Sequence, residues 1–270
     1  MTDWFGKPAD LRGKLLWLFD MDGTIYREDS LFDGTLELLR RIGDRGGHSV
    51  FVTNNSSKSV EDYIAKLRRM GIETDRAHFF TSSQATVRLL LTEYPGALVY
   101  CQGTQSLLQE LRQAGIRVTE QVEPVDVVLL GFDNELTSEK LRRTCEILTL
   151  QSPVYLATNP DLVCPVSFGY VPDCGSISVM LRNATGKYPR FIGKPEPTMI
   201  ELAMQAFGCT REQTVLLGDR LYTDIAAGLR AGVCAVCVLS GEATVQDILS
   251  GDVKPTWTFA SVKELCGFSD

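Results

Sequence analysis

The chain has 270 residues, 44% of them hydrophobic and 23% charged, with a net charge of -7. This is an ordinary globular composition, long enough for about two domains, and it holds no run of about 18 apolar residues that could span a membrane. The acidic balance excludes the wrapping of nucleic acid, which needs clustered Lys and Arg facing phosphates.

The opening stretch MTDWFGKPADLRGK lacks the charged start, apolar middle and small-residue cleavage site of a secretory signal, so a cytoplasmic location is expected. The eight cysteines do not suggest a disulfide scaffold in a chain of this size. Only Cys234 and Cys237 form a CxxC, inside the apolar run GVCAVCVLSG, and they read as core residues of a strand. His48 and His78 carry no metal-ligand spacing and read as structural or solvated.

In chain order the patterns alternate. KLLWLFD is strand-like, TLELLRRIGDRGG a helix stopped by glycines, SVFVTN a second strand and SVEDYIAKLRRMG a second helix. After Thr81 comes the helix SSQATVRLLLTEYPG. The alternation then restarts with ALVYCQG, TQSLLQELRQAG, IRVTE, VDVVLLGF, LTSEKLRRTCEILTLQ and VYLATN. From about Pro189 the first style returns as RFIGKP, a helix from Pro197 to Phe207, TVLLGD, the helix TDIAAGLRAG, VCAVCVLSG and TWTFA. The order predicts an α/β chain with parallel sheets covered on both faces by helices. Two arrangements fit it: a discontinuous domain, residues 1–80 plus 186–270, with a second α/β unit at 81–185 inserted, or two sequential domains split near residue 95.

Four predicted strand ends finish in reactive residues: FDMDGT (Asp20, Asp22, Thr24), VTNNS (Thr53, Asn54, Asn55, Ser56), IGKPEP (Lys194) and LLGDRLYTD (Asp219, Asp224). In open α/β sheets the ligand sits at such ends. Residues i and i+2 of extended chain point the same way, so Asp20 and Asp22 emerge on one side. Together these residue types describe a site for a phosphate ester and a divalent cation. Mg²⁺ takes one or two carboxylates plus water and phosphate oxygens, a need Asp20 and Asp219 can meet. The Thr53 hydroxyl, Asn54 and main-chain N–H groups can hold phosphate oxygens, and Lys194 adds a positive charge. Each element alone is common; their order and spacing are not, with 33 residues from Asp20 to Thr53, 141 from Thr53 to Lys194 and 25 from Lys194 to Asp219.

These four motifs resemble those of the haloacid dehalogenase (HAD) superfamily of phosphohydrolases. TSSQAT, ATNPD, CGSI and GKPEP are similar to its NagD-like, 4-nitrophenylphosphatase subfamily along nearly the whole chain. The resemblance implies a three-layer Rossmann-like core with an α/β cap inserted between Thr53 and Lys194, which selects the inserted arrangement. It implies Asp20 as the nucleophile that forms an aspartyl phosphate, and Asp22 as general acid and base. Mg²⁺ would be held by the Asp20 carboxylate, the Asp22 carbonyl and Asp219, supported by Asp224. Thr53, Asn54, Asn55 and Lys194 would hold the transferring phosphoryl group. The acid at Asp22 disfavours halide displacement, since dehalogenase-type members lack it. The expected partner is a small phosphate ester, with a homodimer formed through the cap. The chain departs from relatives at the turn Pro172–Ser176, where they often carry a Gly-Ala-Gly-Ser-like sequence. It departs again near Cys164, where the similar pyridoxal phosphate phosphatases place a His.

The function expected is therefore a Mg²⁺-dependent phosphomonoesterase acting on a sugar phosphate, a phosphoglycolate-like acid, a nucleotide or pyridoxal phosphate, and on 4-nitrophenyl phosphate. The alternative is a phosphotransferase or phosphomutase using the same intermediate. A signalling receiver fits poorly, since it resembles a domain near half this length with a lone acceptor Asp.

Overall fold

The computed structural model describes residues 1–166 and 168–268. They divide into two compact units: Met1–Thr53, Tyr63–Phe80 and the chain from Lys194 onward form one, and Asn54–Asp62 with Thr81–Gly193 the other. Among the described residues no helix is long and apolar enough to cross a membrane.

The first unit is built on a six-stranded sheet. Its strand order is Trp257–Phe259, Cys234–Val238, Thr214–Gly218, Leu16–Phe19, His48–Thr53 and Phe79–Thr81. The first five of these run parallel. All four residues of Leu16–Phe19 are buried, as the unbroken apolar run requires of a strand covered on both faces. Trp17 packs on Phe268 with ring centroids 4.7 Å apart. The two histidines flank Phe207, at 4.8 Å for His48 and 5.7 Å for His78, and His78 Nδ1 lies 2.8 Å from Asp75 Oδ1. Cys237 is buried in its strand beside Gly218, in keeping with a core cysteine.

The second unit carries its own parallel sheet, ordered Arg190–Phe191, Val154–Ala157, Val127–Leu130, Leu98–Gln102 and Arg117–Thr119. An antiparallel hairpin, Val163–Val166 with Gly169–Pro172, follows Val154–Ala157. The helix Ser82–Glu93 opens on a reciprocal cap. Thr81 Oγ1 accepts from Gln84 N–H at 3.1 Å and Gln84 Oε1 accepts from Thr81 N–H at 2.9 Å, which gives the stretch TSSQ its local purpose.

Two boundaries differ from the sequence expectation. The segment RFIGKP was expected to return the chain to the first unit, yet Arg190 and Phe191 pair in parallel with Leu156 and Ala157 of the second sheet. The pairing continues as Ile192 N–H donates to Ala157 O and Gly193 N–H to Thr158 O, so the first unit resumes only at Lys194. Likewise Asn54–Asp62, read as the end of one strand and the start of the next helix of the first unit, groups with the second.

Candidate active site

Three neighbouring strands of the first sheet end on the polar residues singled out above. Leu16–Phe19 runs into Asp20, His48–Thr53 ends on Thr53, and Thr214–Gly218 runs into Asp219. Leu16–Phe19 has one of the other two on each side, so Asp20 stands where the strand order reverses, the place where such sheets bind ligands.

Lys194 comes from the loop before the helix Thr198–Phe207. Its Nζ donates to Asp20 Oδ1 at 2.6 Å, to Asp224 Oδ1 at 2.6 Å and to Val52 O at 2.9 Å. Three acceptors match the three donors of a buried ammonium group. Burial alone would lower the Lys194 pKa, but the Asp20 and Asp224 carboxylates outweigh it and raise it. The second oxygen of Asp224 accepts from Arg220 N–H at 3.1 Å. Asp224 sits in a single π-helical turn, Leu221–Ile225, that precedes the helix Ala226–Ala231.

Asp219 is held differently. Its Oδ2 accepts from Glu242 N–H at 2.7 Å, while its Oδ1 is buried with no hydrogen-bond partner. Glycines close round this carboxyl: a Cβ on Gly23 would fall 2.5 Å from Asp219 Oδ2, and one on Gly241 would fall 1.9 Å from it. Gly23 also has φ +85°, which a side chain would strain.

Carboxylate oxygens of Asp20, Asp219 and Asp224 lie within 4.8 Å of one another. Three carboxyl groups crowd round one buried ammonium group, so the site favours further positive charge. Burial, with Asp224 and Asp219 adding to it, raises the Asp20 pKa well above the carboxylate range against the pull of Lys194. Burial, then Asp224, pushes Asp219 up to about 7. An orphaned buried carboxylate oxygen among hard oxygen donors fits a divalent cation of the Mg²⁺ kind. The side chain of Asp20 is 15% exposed and that of Asp224 1%, so Asp20 is the more open of the two that clamp Lys194.

Asp22 is half-buried in the turn that follows, and its main chain bridges to Tyr26. Among the described residues its side chain is not in the converging acidic group. Thr53 is buried at its strand end. In the second unit, Asn54 Nδ2 donates to Asp161 Oδ2 at 2.9 Å. Asn55 Oδ1 accepts from Ser57 N–H at 2.9 Å and Ser57 Oγ at 2.7 Å. Both side chains thus shape the turn after Thr53. Asp161 was missed in the sequence because its partner Asn54 stands 107 residues away.

A parallel sheet that sets a Lys194-clamped Asp20 beside Asp219 and Asp224 at its strand ends has the arrangement of an α/β enzyme site. Residues 17–117 match the family described as haloacid dehalogenase-like hydrolase, and residues 191–265 match one described as HAD-hydrolase-like. The acid sugar phosphatase of Staphylococcus aureus strain MRSA252 is 34% identical over 251 residues, covering 92% of this chain and 95% of that protein. The crystal structure of 4-nitrophenylphosphatase from Thermotoga maritima superposes with a TM-score of 0.91 at 36% identity, covering 97% of this chain and 100% of the other. Glycerol phosphate phosphatase from Mycobacterium tuberculosis, in complex with magnesium, gives 0.88 at 27% identity over 95% of this chain and 78% of that one. The chain belongs to the haloacid dehalogenase-like hydrolases. Within them it is a HAD-type phosphatase of the kind represented by the 4-nitrophenylphosphatases and acid sugar phosphatases.

Proposed function

We propose that the protein is a Mg²⁺-dependent phosphomonoesterase of small phosphorylated metabolites, with sugar phosphates the leading class, and that it works through an aspartyl phosphate on Asp20. The observation that carries this reading is the pairing of the 15% exposed Asp20 with Lys194 Nζ at 2.6 Å, beside an Asp219 oxygen that has no protein partner. The similarity to an acid sugar phosphatase supports the substrate class.

Asp20, the Asp22 carbonyl and Asp219 would hold the metal, with Asp224 fixing Lys194 behind them. When bound, the cation neutralises the repulsion between a carboxylate and an anionic phosphate. Asp20 then attacks phosphorus, the ester P–O bond breaks, and the leaving alkoxide takes the proton of the Asp22 carboxyl. Water attacks the aspartyl phosphate and gives its proton to Asp22, releasing phosphate and restoring the Asp20 carboxylate. The Thr53 hydroxyl and the main chain of Asn54 and Asn55 would cradle the phosphoryl oxygens, with Lys194 balancing their charge.

Metal removal tests this reading. EDTA should abolish hydrolysis of 4-nitrophenyl phosphate and Mg²⁺ restore it, with Ca²⁺ a poor substitute because it prefers more ligands at longer range. Full turnover by stripped protein would sink the proposal. A pH dependence accompanies it. The Asp219 pKa is raised from 3.8 to about 7, so the metal-free fold loses stability as pH rises through that window. Mg²⁺ relieves this cost, so the rise in melting temperature at saturating Mg²⁺ should be larger near pH 8 than near pH 5. Equal rises at both would contradict the assignment of Asp219 as a ligand.

A further inference from the structure

The turn after Thr53 is anchored by a buried polar network that the reaction outlined above does not use. Asp161 and Asp173 are 3% and 4% exposed. The amide nitrogen of Asn159 donates to both, to Asp161 Oδ2 and Asp173 Oδ1 at 3.0 Å each. The same Asp161 oxygen accepts from Asn54 Nδ2 at 2.9 Å. Around this centre Ser82 Oγ donates to Asn54 O at 2.6 Å, Ser56 Oγ lies 3.0 Å from Thr158 Oγ1, and Phe132 N–H donates to Ser56 Oγ at 3.0 Å. The Asp161 main chain is fixed as well: Gly175 N–H donates to Asp161 O at 2.8 Å, and a Cβ on Gly175 would fall 2.1 Å from Pro160 O.

A buried carboxylate that accepts from two amides is a strong, directional anchor. It sets the rotamer of Asn54, the residue joined to Thr53 by one peptide bond. Asn54 cannot turn its amide nitrogen toward a ligand without giving up its bond to that buried acceptor, a loss that holds the rotamer in place. The anchor comes from the loop Asn159–Asp161 at the end of the Val154–Ala157 strand.

We infer that Asp161 is a positioning residue of the phosphatase, acting through Asn54 to fix the turn that binds phosphate. This rests on the proposed role of Thr53 and the residues after it. Asp161 touches no reacting atom in this scheme; it makes the orientation of the turn, and hence phosphate affinity, depend on its bond to Asn54.

The test is a double-mutant cycle on the full-length, Mg²⁺-loaded protein, read by calorimetric binding of inorganic phosphate and by KM and kcat on 4-nitrophenyl phosphate. Asp161→Ala should weaken phosphate about tenfold and raise KM in step, with kcat changing far less. Asn54→Ala should weaken phosphate similarly, and the double variant should be no worse than Asn54→Ala alone. Asp161→Asn, which keeps one carbonyl acceptor, should recover part of the loss and carries the same cycle if the alanine variant does not fold. Thr144→Val provides a comparison, because Thr144 is a fully buried hydroxyl of the same unit bonded to Gln102 and Lys140 O. It should lower the melting temperature and leave phosphate affinity unchanged. Additive losses in the cycle, or a phosphate affinity that survives Asp161→Ala, would overturn the inference. Turnover that survives Asp20→Asn would instead overturn the reading beneath it.

Discussion

Asp20→Asn should remove turnover of every phosphate ester by at least about 10⁴-fold while leaving a folded protein. The amide has nearly the shape of the carboxylate but neither its charge nor its nucleophilicity, and it is a weaker metal ligand. The fold survives because Lys194 keeps Asp224 Oδ1 and Val52 O as partners, and because one fewer carboxylate in the group relieves repulsion with Asp219 and Asp224. The melting temperature of metal-free Asp20→Asn should therefore stay within a few degrees of the parent protein, whereas its gain on adding Mg²⁺ should shrink. Residual turnover within about tenfold of the parent would remove Asp20 from the role of nucleophile.

The second large effect separates the two aspartates by leaving group. Asp22→Asn keeps the main-chain carbonyl proposed to hold metal and removes only the titrating group, so Mg²⁺ and phosphate should still bind. An alkyl phosphate departs as a strongly basic alkoxide and needs a proton, while nitrophenolate departs readily without one. General acid catalysis is worth about 10²- to 10⁴-fold. Single-turnover rates of Asp22→Asn should fall by about that factor on a sugar phosphate and clearly less on 4-nitrophenyl phosphate. The first step must be isolated, because Asp22 is also the proposed base for water in the second and slow release would mask the contrast. Equal losses on both esters with metal binding intact would show that Asp22 is not the acid.

The residues proposed for this chemistry were legible where a continuous apolar strand runs into a polar residue. Asp20 and Asp219 directly follow, and Thr53 ends, adjacent strands whose last four residues are all buried, as a continuous apolar run requires. Lys194 was legible because Pro195 disfavours helical geometry in the residue before it. Asp224 was visible as a residue but not as a partner of Lys194, because a π-helical turn places it there and helical periodicity does not anticipate such a turn. The two-residue strand Arg190–Phe191 is too short to show any period, so its membership of the second sheet could be set only by pairing with Val154–Ala157. The Asn54–Asp161 contact joins residues far apart in sequence, and each alone reads as a turn former. Asp173 caps the helix Cys174–Thr185 and also accepts from Asn159 Nδ2.

The central claim is that phosphoryl transfer passes through a covalent bond to Asp20. Its most direct test is the stereochemical course at phosphorus, followed with an isotopically chiral phosphate ester in the Mg²⁺-loaded enzyme. Two in-line displacements, first by Asp20 and then by water, predict overall retention of configuration; inversion would mean that water attacks the ester directly and would contradict the aspartyl phosphate.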